Sequence, residues 1–421
     1  MCWSRIVVPL IPLAMALNGQ AAASAWTRQN VSRSLRLTSF WWSHSQPRPA
    51  AGGIAWILNW GTASHTLVWY DGTGASYLTP PKFGAWMAAG RSAPSPRSDW
   101  GPTSLSSWGS AVAFSASLLG FLRMTSTEIL YCEQGTIHRV TYDMLCDTQP
   151  SLYDGTIAWQ SRASEDDDWE IRYWDGYGVR TITDNDVDDT RPSLYDGTIA
   201  WRSGMEIVYL SVPTSIYYPL GTPVAVAVGE APSLFGHKIA YHASDGNDTE
   251  MFLYDIESRQ TIQITDNDYN DRNACLHDGT LVWEGYDGND WEIFYWDGST
   301  IEQLTENDLD DMEPSLWGTG LRTMVAYVEW RESSLPPWFA SQIVLLRPAL
   351  IISPRPGSGD MTVTWPSLEG RTYRVEYSDD LFTWHVAADD LPSAGYGVTS
   401  WTDDIASGTV TRRFYRVAEK E

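Results

Sequence analysis

The sequence predicts an all-β chain: a β-propeller of about seven four-stranded blades (six or eight also fit), followed by a small β-sandwich. Three observations predict it. The segment PSLYDGTIAW starts at Pro150 and again at Pro192, with looser copies starting at Pro232, Ala274 and Pro314, so the spacings are 42, 40, 42 and 40 residues. A period near 40 that holds four strand patterns is the mark of a propeller blade, whereas helical solenoids need 3.6-residue periodicity. Asp-Gly turns separate alternating apolar runs in the clearest copies, as in YDG (153–155) and WDG (174–176), and such turns favour tight hairpins. The chain also carries 23 Trp and 21 Tyr in 421 residues, which suits short aromatic-rich strands.

Taken in chain order, residues 1–25 read as an export signal. Arg5 precedes the apolar run 6–17, and small residues at 21–25 offer a cleavage site. The run is too short to span a bilayer, so the mature chain is expected in the periplasm or outside the cell with no transmembrane segment. Residues 26–50 form an N-terminal segment, either a closing strand or a tail. The propeller is expected over 51–347, with a weaker repeat at Pro102 and a degenerate one over 52–79. In the clearest copy the four strands are PSL, TIAWQS, WEIRYW and VRTIT. Beyond 347, a Pro/Gly stretch at 353–360 leads into five short alternating runs, including DMTVTW, RTYRVEYS and RRFYRVAE, which read as a sandwich over 348–421.

Fifty-three acids against 28 bases give a net charge of −25, which repels nucleic acid and anionic membranes. Because chain direction alternates, the loop between strands two and three shares a face with the link to the next blade. Six such segments, 164–169, 183–189, 244–249, 265–271, 286–291 and 305–311, hold 19 acids. Most of the charge is therefore expected on one rim. Asp184, Asp186 and Asp188 place oxygens at alternate positions, as calcium loops do, with Asp266, Asp268, Asp308 and Asp310 as counterparts. These seven are the candidate ligands for a possible calcium cofactor. The pattern departs from an EF-hand, with Asp189 at the sharp-turn glycine and Tyr195 at the bidentate glutamate. The other reading is that Asp and Asn cap turns through their own backbone.

Cys132 and Cys146 are expected at opposite ends of a blade, too far apart for a disulfide. Trp159, Trp201 and Trp283, like Trp169 and Trp291, recur at fixed blade positions, which suggests packing between blades. The less periodic Trp42, Trp60, Trp86, Trp100 and Trp338 are freer to form a carbohydrate surface. No G-x-S-x-G turn and no metal-spaced His set is present, so no catalytic residue is named.

The run of P-S-L-x-x-D-G-x-I-A-W, D-G-N-D-W-E-I-F-Y-W-D-G and Q-L-T-E-N-D resembles the TolB-like propeller repeat, a WD-like class, well over 100–347 and poorly over 51–100. Thr or Gly usually follows the D-G turn here, where many members of that class carry Lys or Arg. Trp365 with the YRVEYS and FYRVAE strands resembles a fibronectin type III-like module. These resemblances imply an exported, non-catalytic binding or scaffolding protein with a protein or polysaccharide partner. Calcium-dependent adhesion or surface assembly is one alternative. A carbohydrate-active enzyme working at the channel mouth is the other.

Overall fold

The computed structural model describes residues 26–30, 42–50, 53–60, 64–70, 75–77, 102–108, 111–116, 127–133, 136–143, 145–213, 218–318, 323–332, 339–348, 350–354, 360–367, 371–379, 382–394, 397–403 and 413–420. The expected export signal, Trp86, Trp100 and Trp338 lie outside them. The described residues form seven four-stranded antiparallel sheets and two three-stranded ones. The seven sheets are the blades of a propeller. Their first strands, Trp42–Ala50, Pro102–Trp108, Cys146–Tyr153, Asp189–Tyr195, Glu230–Phe235, Asp271–His277 and Asp311–Trp317, each touch the next and close a ring around the central axis.

Closure joins the two ends of the propeller. Blade seven takes its outer strand from Trp26–Asn30, which pairs antiparallel with Phe339–Pro348. Its inner three strands come from the far end of the repeat region. Trp42–Ala50 supplies the first strand of blade one. Residues 26–30 and 42–50 therefore belong to the propeller, whose start moves from 51 back to 26. The pattern at 26–30 gave no blade signal because a lone outer strand contributes no repeat of its own.

Every first strand carries the same irregularity. The pairing register shifts once, as between Thr148 and Ser151 and between Thr190 and Ser193. Within the bulge Gln149, Arg191, Ala231, Asn273 and Glu313 have φ of 49–55°. All five precede the recurrent Pro, or the Ala that replaces it at 274, and the extra residue re-aims the strand as it enters the ring. Beyond the bulge a serine ties each blade to its neighbour. Ser106, Ser151, Ser193 and Ser233 accept the backbone N–H of Leu152, Leu194, Leu234 and Leu276, and Cys275 Sγ takes the same place for Leu316. Cys275 is thus a substituted serine, and Cys132 and Cys146 form no disulfide.

The core lies between blades. Trp159 packs with Ala113 and Tyr131 of the preceding blade, Trp201 with Ala158 and Ile171, and Trp283 with Ala240 and Met251. All three tryptophans are buried, as recurrence at one blade position predicts. The two three-stranded sheets of the C-terminal region, spanning Ile351–Pro354 to Phe414–Lys420, share a separate core of Val363, Trp365, Tyr373, Val375 and Val417. No helix among the described residues is long and apolar enough to cross a membrane.

Candidate functional site

The acidic rim assembles as the alternation of chain direction requires. Inter-blade links meet the loops between strands two and three. Asp189 N–H donates to the Trp169 carbonyl, and Asp188 and Asp310 accept the backbone N–H of Trp169 and Trp291. Asn270 does the same for Thr249. These contacts place both sets of acids on one face.

Most of the link residues serve a repeated network built on Thr-x-Asn-x-x-x-Asp. Thr183, Thr265 and Thr305 accept the N–H of Ile171, Met251 and Ile293 at 2.7–2.9 Å. Asn185, Asn267 and Asn307 donate from their backbone N–H to Glu170, Glu250 and Glu292, and from their side chains to the buried Asp189, Asp271 and Asp311. Asp147, Asp189 and Asp271 also accept the indole N–H of Trp159, Trp201 and Trp283 at 2.8–3.0 Å. The network closes the blade, so the recurrence of TDND reflects architecture.

The seven expected ligands are placed differently from the sequence expectation. Asp184, Asp186, Asp188, Asp266, Asp268, Asp308 and Asp310 are all exposed. None joins a close carboxylate group among the described residues. The link bends, and its buried positions go to Thr183, Thr265 and Thr305 and to the final Asp189, Asp271 and Asp311, while the acids between them face solvent. The groups that do form are Glu128–Asp143–Asp147, Asp245–Asp248–Glu250 and Asp287–Asp290–Glu292, with one oxygen from each residue within 4.8 Å of the others. Two members of the first already face arginines: Glu128 accepts Arg139 and Thr141 at 2.7 Å, and Asp143 accepts Arg172 at 3.3 Å.

The other two occupy the D-G-N-D-x-E turns of blades five and six. Asp245 Oδ1 accepts the N–H of Asn247 and Asp248, and Asp287 Oδ1 accepts those of Asn289 and Asp290. Gly246 and Gly288 have φ of 110° and 102°, a region that only glycine adopts without strain. The turn folds the last Asp inward over the Glu of strand three. Glu250 and Glu292 are fully buried and Asp290 is 8% exposed. Burial pushes the Glu250 carboxyl up to about 7, and the charge of Asp271 and Asp248 adds to it. Burial likewise raises Asp290, with Asp287, Asp310 and Asp308 adding repulsion, so two of the expected ligands act on this group through their charge. The glutamates were the part that sequence reading missed. Their signal was an acid recurring on strand three at 170, 250 and 292, next to the buried Ile171, Met251 and Ile293.

The opposite mouth of the channel is aromatic. Tyr153, Tyr195, Phe235 and His277 stand at the last position of successive first strands, with ring centroids 4.4 Å apart, and Trp317 continues the series at 6.3 Å. Burial lowers His277 to about 4, so it is neutral at pH 7. On the acidic side, Arg162 and Arg272 lie over the Trp169 and Trp291 rings, which fixes those half-buried tryptophans within the blades.

No family model and no curated protein matches the chain. Solved propellers do. The β-propeller domain of the Trilobed protease from Pyrococcus furiosus superposes with a TM-score of 0.50 at 10% identity, covering 70% of this chain and 91% of that one. The acylaminoacyl peptidase of Pyrococcus horikoshii gives 0.48 at 11% identity, covering 79% of this chain and 59% of that one, so this chain spans under two thirds of the peptidase. TolB from Acinetobacter baumannii gives 0.39 at 17% identity, covering 63% of this chain and 66% of that one. The expectation of a non-catalytic binding or scaffolding protein is corrected by the first of these comparisons, because the propeller that superposes at 0.50 is a domain of a protease. What the likeness establishes for this chain is the β-propeller fold.

Proposed function

We propose that this chain supplies the propeller of an exported peptidase system, receiving peptide at its channel mouths for a hydrolytic unit that works alongside it. The observation that carries the reading is the fold shared over 91% of the Trilobed-protease propeller domain. The polarity of the disc supports it. One mouth offers the aromatic series from Tyr153 to Trp317, suited to apolar side chains. The other offers an acidic rim, which attracts basic peptides and repels acidic ones. Residues 1–25 act as the export leader in this reading. The C-terminal sandwich is a fibronectin type III-like spacer or docking module.

The test is anisotropy and cleavage with fluorescent peptides matched in length, one lysine-rich and one glutamate-rich, on the full mature chain. Preferential binding or cleavage of the lysine-rich peptide, weakening as salt rises, is the expected result. If neither peptide is bound or cut, the peptidase reading is wrong.

A further inference from the structure

We propose that the turns of blades five and six are a pair of calcium sites, one built from Asp245, Asp248 and Glu250 and the other from Asp287, Asp290 and Glu292. The inference is independent of the peptidase reading. Each group brings three carboxylates within 4.8 Å of one another. Buried polar atoms in folded proteins almost always find partners. Here both oxygens of Asp248, both oxygens of Asp290 and Oε2 of Glu250 are buried without a hydrogen-bond partner. Asp290 and Glu250 are more than nine-tenths buried. Uncompensated buried carboxylates are costly, and a bound cation removes that cost at both sites.

The donor chemistry selects the ion. All side-chain donors are hard oxygens, which disfavours zinc and copper. Asp245 is exposed and Asp287 half-buried, so each group opens to solvent on one side and leaves room for water. Calcium accepts 6–8 oxygens in flexible geometry, whereas magnesium requires near-ideal octahedral positions. The loops differ from the remaining acidic turn in one respect. In blade three Asp168 Oδ2 and Glu170 Oε2 are also without partners, but Glu165 and Asp166 stand where the capping Asp and the glycine stand in the other two. That turn lacks the glycine whose positive φ folds the loop over the glutamate, so two sites are assigned.

Calorimetric titration of the full mature chain with calcium chloride, after chelator treatment, tests the count. Two calcium ions per chain are expected. Asp248→Asn and Asp290→Asn each reduce this to one, and the double variant binds none. Terbium adds a readout of place, because Trp291 follows Asp290 whereas Thr249 follows Asp248. Indole-sensitised terbium emission is therefore expected to fall mainly with Asp290→Asn. Circular dichroism checks that each variant is folded. Should either fail that check, Asp245→Asn and Asp287→Asn keep the turn-capping oxygen and are expected to weaken one site each by about tenfold or more. A stoichiometry other than two, or undiminished calcium binding by a folded double variant, overturns the assignment.

Discussion

Trp283 shows how one side chain holds two elements. Its ring fills the space between blades five and six, and its indole N–H donates to Asp271 at 2.8 Å. Trp283→Phe keeps most of the apolar contact and removes the donor. A loss of roughly 2–3 kcal/mol is expected, since a buried acceptor loses its partner. Thermal melting should show a midpoint lower by about 5 °C. Asp147 accepts Trp159 in the same way, and burial raises its pKa from 3.8 to about 6. Between these values the folded chain holds a proton that the unfolded chain has released. Stability contributed by this group therefore falls as pH rises from about 4 to about 6, then levels off. Asp147→Asn should flatten that part of the melting profile. His277 has the opposite sign. Its pKa is lowered from 6.5 to about 4, so the unfolded chain takes up a proton first and stability falls as pH drops below 6.5. His277→Phe matches Phe235 in the same series and should reduce acid sensitivity between pH 6.5 and 4, read as melting temperature at each pH.

The outer strand Trp26–Asn30 is the element on which closure depends. It continues from Trp26↔Pro348 to Asn30↔Val344, so its removal leaves the edge of Phe339–Pro348 unpaired. Deleting residues 26–30 is expected to lower the propeller's melting temperature and to promote association through the bared edge. Scanning calorimetry with light scattering measures both. An unchanged midpoint would mean that closure contributes little. The D-G-N-D turns are elements of another kind. Their backbone is set by Asp caps and by Gly246 and Gly288, and this geometry turns a hairpin loop into a carboxylate group.

For the molecule as a whole, two independent cores imply two unfolding units. The propeller core runs from blade to blade, while Val363, Trp365, Tyr373, Val375 and Val417 form a core of their own. Trp365→Ala is expected to destabilise only the C-terminal unit, by about 3–5 kcal/mol. Calorimetry should then show one transition moved and the other in place. A single transition shifting as one would show that the two regions unfold together. The net charge of −25 gives the disc a long-range field, and its distribution over one rim gives that field a direction.

The period of 40–42 residues, the D-G turns and the alternating apolar runs were enough to read out the propeller and the acidic face. These features are local, and each repeat restates them. The inter-blade role of Trp159, Trp201 and Trp283 was legible for the same reason. Closure by Trp26–Asn30 was legible only as one of two options, because a single strand without a repeat finds its partner only through the ring. The carboxylate groups were visible as composition but not as sets. Asp248 and Glu250 are two residues apart, yet which acids meet depends on the positive φ of Gly246 and on the inward face of strand three. The sequence by itself determined the architecture and the sign of the rim. Only the tertiary structure decided which acids are buried together, because burial is a property of packing and not of spacing.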